Sequence, residues 1–206
     1  MPKLSLKMKE LVAENMRSAI IEACRKIILR DGFESLTMEK LAQEAEVSTG
    51  SIYNYFENKE AVVGGIMESA FQNMLATVKK TAAAKRPPED RILAIVKFML
   101  DDFHDMRCLH EAIMHVRPRP SRNEFSQKHR MLVENIGQVI SDGMESGCFK
   151  NSVPLLAASA LLGMIREFQI DPGMIFTDVP SEELARNITD IFLSGIKKTA
   201  ENSHEC

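Results

Sequence analysis

The sequence has no apolar run long enough to cross a membrane. A spanning helix needs about 20 consecutive apolar residues, and the longest candidate, residues 153–170, is interrupted by Pro154, Ser159 and the pair Arg166 and Glu167. The first ten residues also lack the continuous apolar core of a signal peptide. We therefore expect a cytoplasmic protein.

Cysteine is scarce, and the sequence motifs of common enzyme sites are missing. The four cysteines are widely separated, with no CxxC pair, so we expect free thiols or small buried side chains rather than a disulfide framework or a zinc ribbon. No glycine-rich phosphate loop, nucleophile elbow or HExxH motif is present. The sequence therefore predicts no enzyme active site, no metal and no cofactor.

Neither sign of charge is in excess. The net charge is −3, and residues 1–59 contain nine Lys and Arg against nine Asp and Glu. A protein that bound nucleic acid through charge alone would be more basic than this. Any binding to DNA must therefore depend on individually placed contacts and on helix N-termini.

Helix signals dominate what is present. Hydrophobic residues make up 45% and charged residues 27% of the chain, as in an ordinary globular protein, and no strand or hairpin pattern appears. Apolar residues from Met16 to Ile28 follow a helical stripe that Gly32 ends. We predict an all-α fold of about nine helices, with a break near 105–107. The helices are expected near residues 16–31, 37–45, 48–56, 59–84, 91–103, 109–116, 121–146, 154–170 and 181–198.

Two short helices between Thr37 and Phe56 form a candidate helix-turn-helix. Thr37 and Ser48 are good N-caps, and the link over 45–48 has the length of a tight turn. In such a motif, small and hydrogen-bonding side chains from the first turn of the second helix approach base edges in the major groove. Helix N-termini and nearby polar groups hold phosphates. The predicted DNA contacts are Thr37, Ser48, Thr49, Gly50, Ser51, Tyr53, Asn54, Tyr55 and Lys59.

The segment LTMEKLAQEAEVSTGSIYNYFENKE, from Leu36 to Glu60, resembles the signature of the TetR family of repressors. The resemblance implies a helix-turn-helix DNA-binding domain over residues 1–58 and a larger ligand-binding and dimerisation domain over 59–206. It implies the same DNA contacts. Two positions depart from the family pattern: Glu46 stands where the turn usually has Gly, and Ala61 stands where Leu is usual.

The last two predicted helices have the wide apolar stripes of a dimer interface. Two such helices from each subunit would pair into a four-helix contact, although both could instead pack inside one subunit. The predicted interface residues are Ala157, Leu161, Met164, Leu184, Ile188, Ile191, Phe192 and Ile196.

The helices before them are rich in Met and Phe, which suit an adaptable apolar cavity. The same residues at helical spacing would equally build a core. The predicted pocket residues are Phe71, Met74, Phe98, Phe103, His110, Met114, Phe125 and Met131. With the helix-turn-helix, they predict a dimeric repressor of a palindromic DNA operator that a small, apolar effector releases.

An alternative function is metal sensing. His104, Cys108, Glu111 and His115 stand at i, i+4, i+7 and i+11, so they would share one face of an unbroken helix. Their side chains are suitable ligands for zinc or nickel. The expected helix break would scatter them, and one straight helix cannot surround an ion with four ligands, so the repressor is the favoured prediction.

Overall fold

The computed structural model describes residues 6–113, 122–170 and 179–197. Within these ranges the chain forms eight α-helices and one short 3-10 helix, Phe33–Ser35, and the all-α prediction is confirmed. The α-helices are α1 (Leu6–Asp31), α2 (Met38–Glu44), α3 (Thr49–Tyr53), α4 (Lys59–Ala82), α5 (Pro88–Ile113), α6 (Arg122–Glu145), α7 (Pro154–Ile170) and α8 (Ser181–Ile196). No helix of the described ranges is long and apolar enough to span a membrane.

The expected break near residues 105–107 is wrong, because α5 runs without interruption from Pro88 to Ile113. After Pro88 this segment contains neither Pro nor Gly, so no residue in it removes a backbone donor or lowers the cost of leaving the helix. The two helices predicted at 91–103 and 109–116 are one helix as far as Ile113, and the count in the described ranges is eight rather than nine.

Among the described residues the chain divides into two compact units. The first comprises the described residues up to Gln72 with 106–113, and the second comprises Asn73–Asp105 with the described residues from 122 onward. Both α4 and α5 therefore contribute residues to each unit. The domain boundary predicted between residues 58 and 59 stays a prediction.

The first unit has its core under the two short helices. Side chains from α1 to α4 are buried together here, and Leu109 of α5 joins them with 1% of its surface exposed. Burial raises the pKa of the Cys24 thiol to about 12, so this cysteine is an unreactive core residue, as predicted. The buried residues include Ile20, Ile27, Phe33, Leu36, Leu41, Ile52, Phe56, Val62, Val63 and Ile66.

Residues around Ala61 show how α4 is held to this core. Val62, Val63 and Ile66 are almost fully buried, whereas Ala61 itself is exposed. The departure from Leu at position 61 therefore lies outside the packed face of α4. Gly65, on the packed side, leaves little room: a Cβ there would stand 3.1 Å from Cδ1 of Ile21.

The second unit is built mainly on α6 packed against α7. Gly147, two residues after the end of α6, has a left-handed φ of +76° and stops the helix there. Pro154 is the first residue of α7. The sequence predicts both. Phe149 is fully buried and lies against Gly143, where a Cβ would stand 2.1 Å from the ring. The Lys150 N–H donates to the Ile196 carbonyl at 2.7 Å, which fixes the end of α8.

Candidate nucleic-acid interface

Both N-caps predicted for the two short helices are confirmed. The Lys40 N–H donates to Oγ1 of Thr37 at 3.2 Å, and the Ser51 N–H donates to Oγ of Ser48 at 3.1 Å. Thr37 and Ser48 are exposed. The other free N–H groups of each first turn, together with the positive end of the helix dipole, favour an anion such as a DNA phosphate.

The turn between α2 and α3 keeps the geometry that normally calls for glycine. The Glu46 N–H donates to the Gln43 carbonyl at 3.2 Å, and the Val47 N–H donates to the Ala42 carbonyl at 3.0 Å. These two bonds form a Schellman motif, whose C′ residue is left-handed. Glu46 takes that conformation with φ of +56°, at a cost that a glycine would avoid. The departure from the family pattern thus changes the residue and not the turn.

Helix α3 packs on the core through one buried residue and exposes others to solvent. Ile52 is fully buried, while Tyr53 is 54% exposed and Asn54 is also exposed. Gly50 faces open space, because a Cβ there would have no neighbour closer than Oγ of Ser48 at 4.0 Å. The protein itself therefore does not require glycine at this position, which is consistent with close approach of an external partner.

The predicted DNA contacts fall into two groups by exposure. Thr37, Ser48, Gly50, Tyr53 and Asn54 are exposed, and the others, Thr49, Ser51, Tyr55 and Lys59, are half-buried. Tyr55 packs against the core of the first unit. The exposed five lie at the N-termini and on the outer side of α2 and α3, and their contacts with DNA stay a prediction.

Lys59 has internal partners that the sequence does not reveal. Its Nζ donates to the Leu36 carbonyl at 3.3 Å and lies 4.5 Å from the centroid of the Phe33 ring. Leu36 directly precedes the N-cap Thr37. The predicted phosphate contact of Lys59 stays a prediction.

Arg17 is a residue of this site that sequence reasoning missed. Its Nη1 donates to the Tyr55 carbonyl at 3.1 Å, and its guanidinium carbon lies 4.5 Å from the centroid of the Phe56 ring. Arg17 and Tyr55 are 38 positions apart, so no local sequence pattern predicts their contact. The cap of α4 was also missed, although Asn58 is a standard N-cap residue: its Oδ1 accepts the Ala61 N–H at 2.8 Å.

The predicted interface residues differ in how exposed they are in the second unit. Leu161, Ile188 and Phe192 are buried in the subunit itself. Ile191 is 65% exposed, and Leu156, which the sequence does not predict for the interface, is 68% exposed. Gly163 on α7 and Gly195 on α8 are exposed as well. The remaining members of the predicted set, Ala157, Met164, Leu184 and Ile196, are half-buried.

Part of the predicted pocket and all four side chains of the alternative metal set fall outside the description. Half-buried side chains are found for Phe71, Met74, Phe98, Phe103 and Met131, and the side chains of His110, Met114 and Phe125 are outside the description. The same holds for the side chains of His104, Cys108 and Glu111, and for His115 altogether. Among the side chains that are described, no group of three or more His, Cys, Asp or Glu could hold a metal ion.

Two capped short helices, a Schellman turn and an exposed second helix define a helix-turn-helix DNA-binding protein. Residues 20–66 match the family model of bacterial regulatory proteins, tetR family, and residues 85–169 match a tetracyclin repressor-like C-terminal domain. The chain belongs to the TetR family of transcriptional regulators.

Known proteins of this family align with most of the chain. The HTH-type transcriptional regulator UidR of Escherichia coli K12 is 23% identical over 186 residues, which cover 90% of this chain and 91% of UidR. A TetR/AcrR-family regulator from Thermobifida fusca superposes with a TM-score of 0.72 at 20% identity, covering 93% of this chain and all of that one. SmeT, the repressor of the Stenotrophomonas maltophilia multidrug efflux pump SmeDEF, gives 0.64 at 17% identity, with coverage of 89% and 91%. The structures show a shared fold.

Proposed function

We propose that this regulator is a repressor that binds a palindromic DNA operator as a homodimer in the cytoplasm. The observation that carries the proposal is the exposed outer side of the helix-turn-helix. Its two capped helix N-termini suit backbone phosphates, and α3 would lie in the major groove with its first residues against base edges.

Within α3 the proposed roles follow from chemistry. Asn54 can donate to and accept from adenine in a bidentate pair, and Tyr53 can contact a thymine methyl group or a phosphate. Thr49, Gly50 and Ser51 are small enough to let the backbone approach closely. Because residues 1–59 have no net charge, these placed contacts supply the affinity, and the dependence on salt should be modest for a DNA-binding protein.

A dimer is supported by the exposed apolar residues of α7 and α8. A dimer that covered exposed Leu156 and Ile191 would remove apolar surface from water, and exposed Gly163 and Gly195 would let helices of two subunits approach closely. A two-fold dimer would place its recognition helices in successive major grooves, about 34 Å apart. This spacing is what a palindromic operator requires.

The effector is proposed to be a small apolar molecule. The supporting features are the Met- and Phe-rich helices α4 to α6, and the family neighbour SmeT has been solved in complex with triclosan. An effector would act only through unequal affinity for two arrangements of the dimer, one of which has the wrong spacing for the operator.

Footprinting on the DNA that flanks the gene tests this proposal. We expect a protected palindrome at moderate salt, lost in Tyr53→Ala, with the dimer intact by light scattering. A matched control is Leu29→Ala, because Leu29 is about as exposed as Tyr53 but lies on α1. If the wild-type protein protects no DNA, or if Tyr53→Ala binds the operator like the wild type, the proposed DNA contacts are wrong.

A further inference from the structure

Two cations of the first unit make the same unusual pair of contacts. Lys59 donates to the Leu36 carbonyl and faces the Phe33 ring, and Arg17 donates to the Tyr55 carbonyl and faces the Phe56 ring. Both cations lie 4.5 Å from their ring centroids. The two rings are buried core residues, exposed by 7% and 4%.

These contacts join the ends of the helix-turn-helix to the helices on either side. Leu36 is the residue before the N-cap Thr37, so Lys59 ties the first turn of α4 to the start of α2. Tyr55 directly follows Asn54, the C-cap of α3, so Arg17 ties α1 to the end of the recognition helix. The start of one DNA-facing helix and the end of the other are therefore both held by a charged side chain.

The position of Lys59 gives a reason for its internal contacts. A cation in the first turn of a helix is repelled by the positive end of the helix dipole. A carbonyl oxygen and the negative face of an aromatic ring offset that repulsion, and Lys59 has both. Its ammonium is thereby held against the protein rather than directed freely at DNA.

We propose that Lys59 and Arg17 are positioning residues for operator binding. Each contacts a buried Phe ring and donates to a main-chain carbonyl at one end of the helix-turn-helix. The inference rests on the proposed function, since it concerns how the DNA-facing residues are held. It differs from a phosphate contact in one measurable way. A phosphate contact releases a counterion, which steepens the dependence of affinity on salt, whereas an internal contact does not.

The experiment compares full-length Lys59→Met, Lys59→Arg and Arg17→Met with the wild type on a duplex that carries the footprinted sequence. Matched controls are Lys26→Met and Arg25→Met, since both residues are exposed on α1. We expect about a ten-fold or greater loss of affinity in Lys59→Met and Arg17→Met, with the slope of log affinity against log salt unchanged. Lys59→Arg should restore most of the affinity, because it keeps a cation for the ring and a donor for the carbonyl.

Amide hydrogen exchange of the free protein gives a second readout. The Lys40 N–H, bonded to Thr37, should exchange faster in Lys59→Met, and the Phe56 N–H, bonded to the Ile52 carbonyl, should exchange faster in Arg17→Met. Neither change is expected from the loss of a phosphate contact.

Two results overturn the inference. One is a salt slope that falls by about 0.9 for each phosphate lost, hence about 1.8 for a dimer, because these side chains would then contact phosphate directly. The other is unchanged exchange at Lys40 and Phe56, whatever happens to affinity. Because exchange is measured without DNA, it decides the inference separately from the proposed function, which fails if the wild type binds no operator.

Discussion

Arg91 and Asp142 form an ion pair in the second unit, with Nη1 of the arginine 2.7 Å from Oδ2 of the aspartate. Arg91 is only 6% exposed and also donates to the Ala82 carbonyl at 2.7 Å. One guanidinium therefore joins the end of α4, the start of α5 and the end of α6. A buried cation of this kind is costly unless its partners are kept.

Removing the partner of this arginine should destabilise the protein. Asp142→Ala leaves the buried charge with the Ala82 carbonyl alone, and we expect a loss of about 2 kcal/mol, reduced from the fully buried case because water reaches the aspartate. Urea unfolding measures it. Gln138→Ala, which removes only a neighbouring donor to Asp142, should cost less. The double variant Arg91→Met, Asp142→Ala should recover part of the loss; if it does not, the unpaired charge is not the cause.

The same pair predicts how stability depends on pH. Burial raises the pKa of Asp142, but the hydrogen bonds from Gln138 and Arg91 and the charge of Arg91 more than offset it, so the pKa is lowered. A carboxyl group whose pKa is lower in the folded state stabilises fully above its unfolded value, about 3.9, and loses this contribution as the pH falls through the folded value. The stability difference between wild type and Asp142→Asn should therefore shrink below about pH 4.

Urea unfolding of both proteins at a series of pH values checks this, with Glu145→Gln as a control on an exposed carboxyl of the same helix. A difference between wild type and Asp142→Asn that stays constant from neutral pH into the acid range would contradict the linkage.

Replacing Glu46 with glycine should stabilise the protein. The left-handed conformation costs a non-glycine residue about 1–2 kcal/mol. Glycine avoids this cost, but it also loses more backbone entropy on folding, which offsets about half of the stabilisation. We expect Glu46→Gly to raise the free energy of unfolding by about 0.5–1 kcal/mol, measured by urea unfolding. Glu46→Ala removes the same carboxylate but keeps the Cβ, so it should give no such gain. Equal stability of the two variants would show that Glu46 is not strained.

Local signals account for what the sequence predicted well. Thr37, Ser48 and Gly32 act through hydrogen bonds or backbone angles within a few residues, so the pattern alone identifies helix ends. The strain at Glu46 could likewise be anticipated, because the turn is short and its geometry demands a left-handed residue. The break expected near residues 105–107 is wrong because α5 contains no Pro or Gly after Pro88 that would end the helix.

Contacts between distant segments could not be predicted in this way. The bond from Arg17 to the Tyr55 carbonyl depends on how α1 lies against the end of α3, which no local pattern encodes. The apolar stripe of α8 serves the subunit core through Ile188 and leaves Ile191 outside. The sequence shows that the apolar stripe is wide, but it does not show which of its residues face the subunit core and which face outward, because that depends on how the other helices pack against α8.

Ile191 provides a direct test of the dimer. Ile191 is 65% exposed, so Ile191→Arg should leave the subunit fold intact, because surface substitutions usually change stability by less than about 0.5 kcal/mol. In a dimer interface the charge would be buried without a partner, and we expect dissociation into monomers by light scattering. Leu29→Arg, a comparable change at an exposed position of α1, should remain dimeric. An Ile191→Arg variant that stays dimeric would place the interface elsewhere.

Gly50 separates DNA binding from folding most cleanly. A Cβ at Gly50 meets nothing closer than 4.0 Å, and one at Gly64 on α4 meets nothing within that distance. Both positions are helical, so Gly50→Ala and Gly64→Ala should each stabilise the fold by about 0.5–1 kcal/mol. Only Gly50→Ala puts a methyl group on the face proposed to enter the groove, and its operator affinity should fall at least about ten-fold, or about 1.4 kcal/mol. Thermal unfolding and fluorescence anisotropy on the footprinted duplex measure the two effects. Equal affinities for the two variants would show that the first turn of α3 does not approach the DNA.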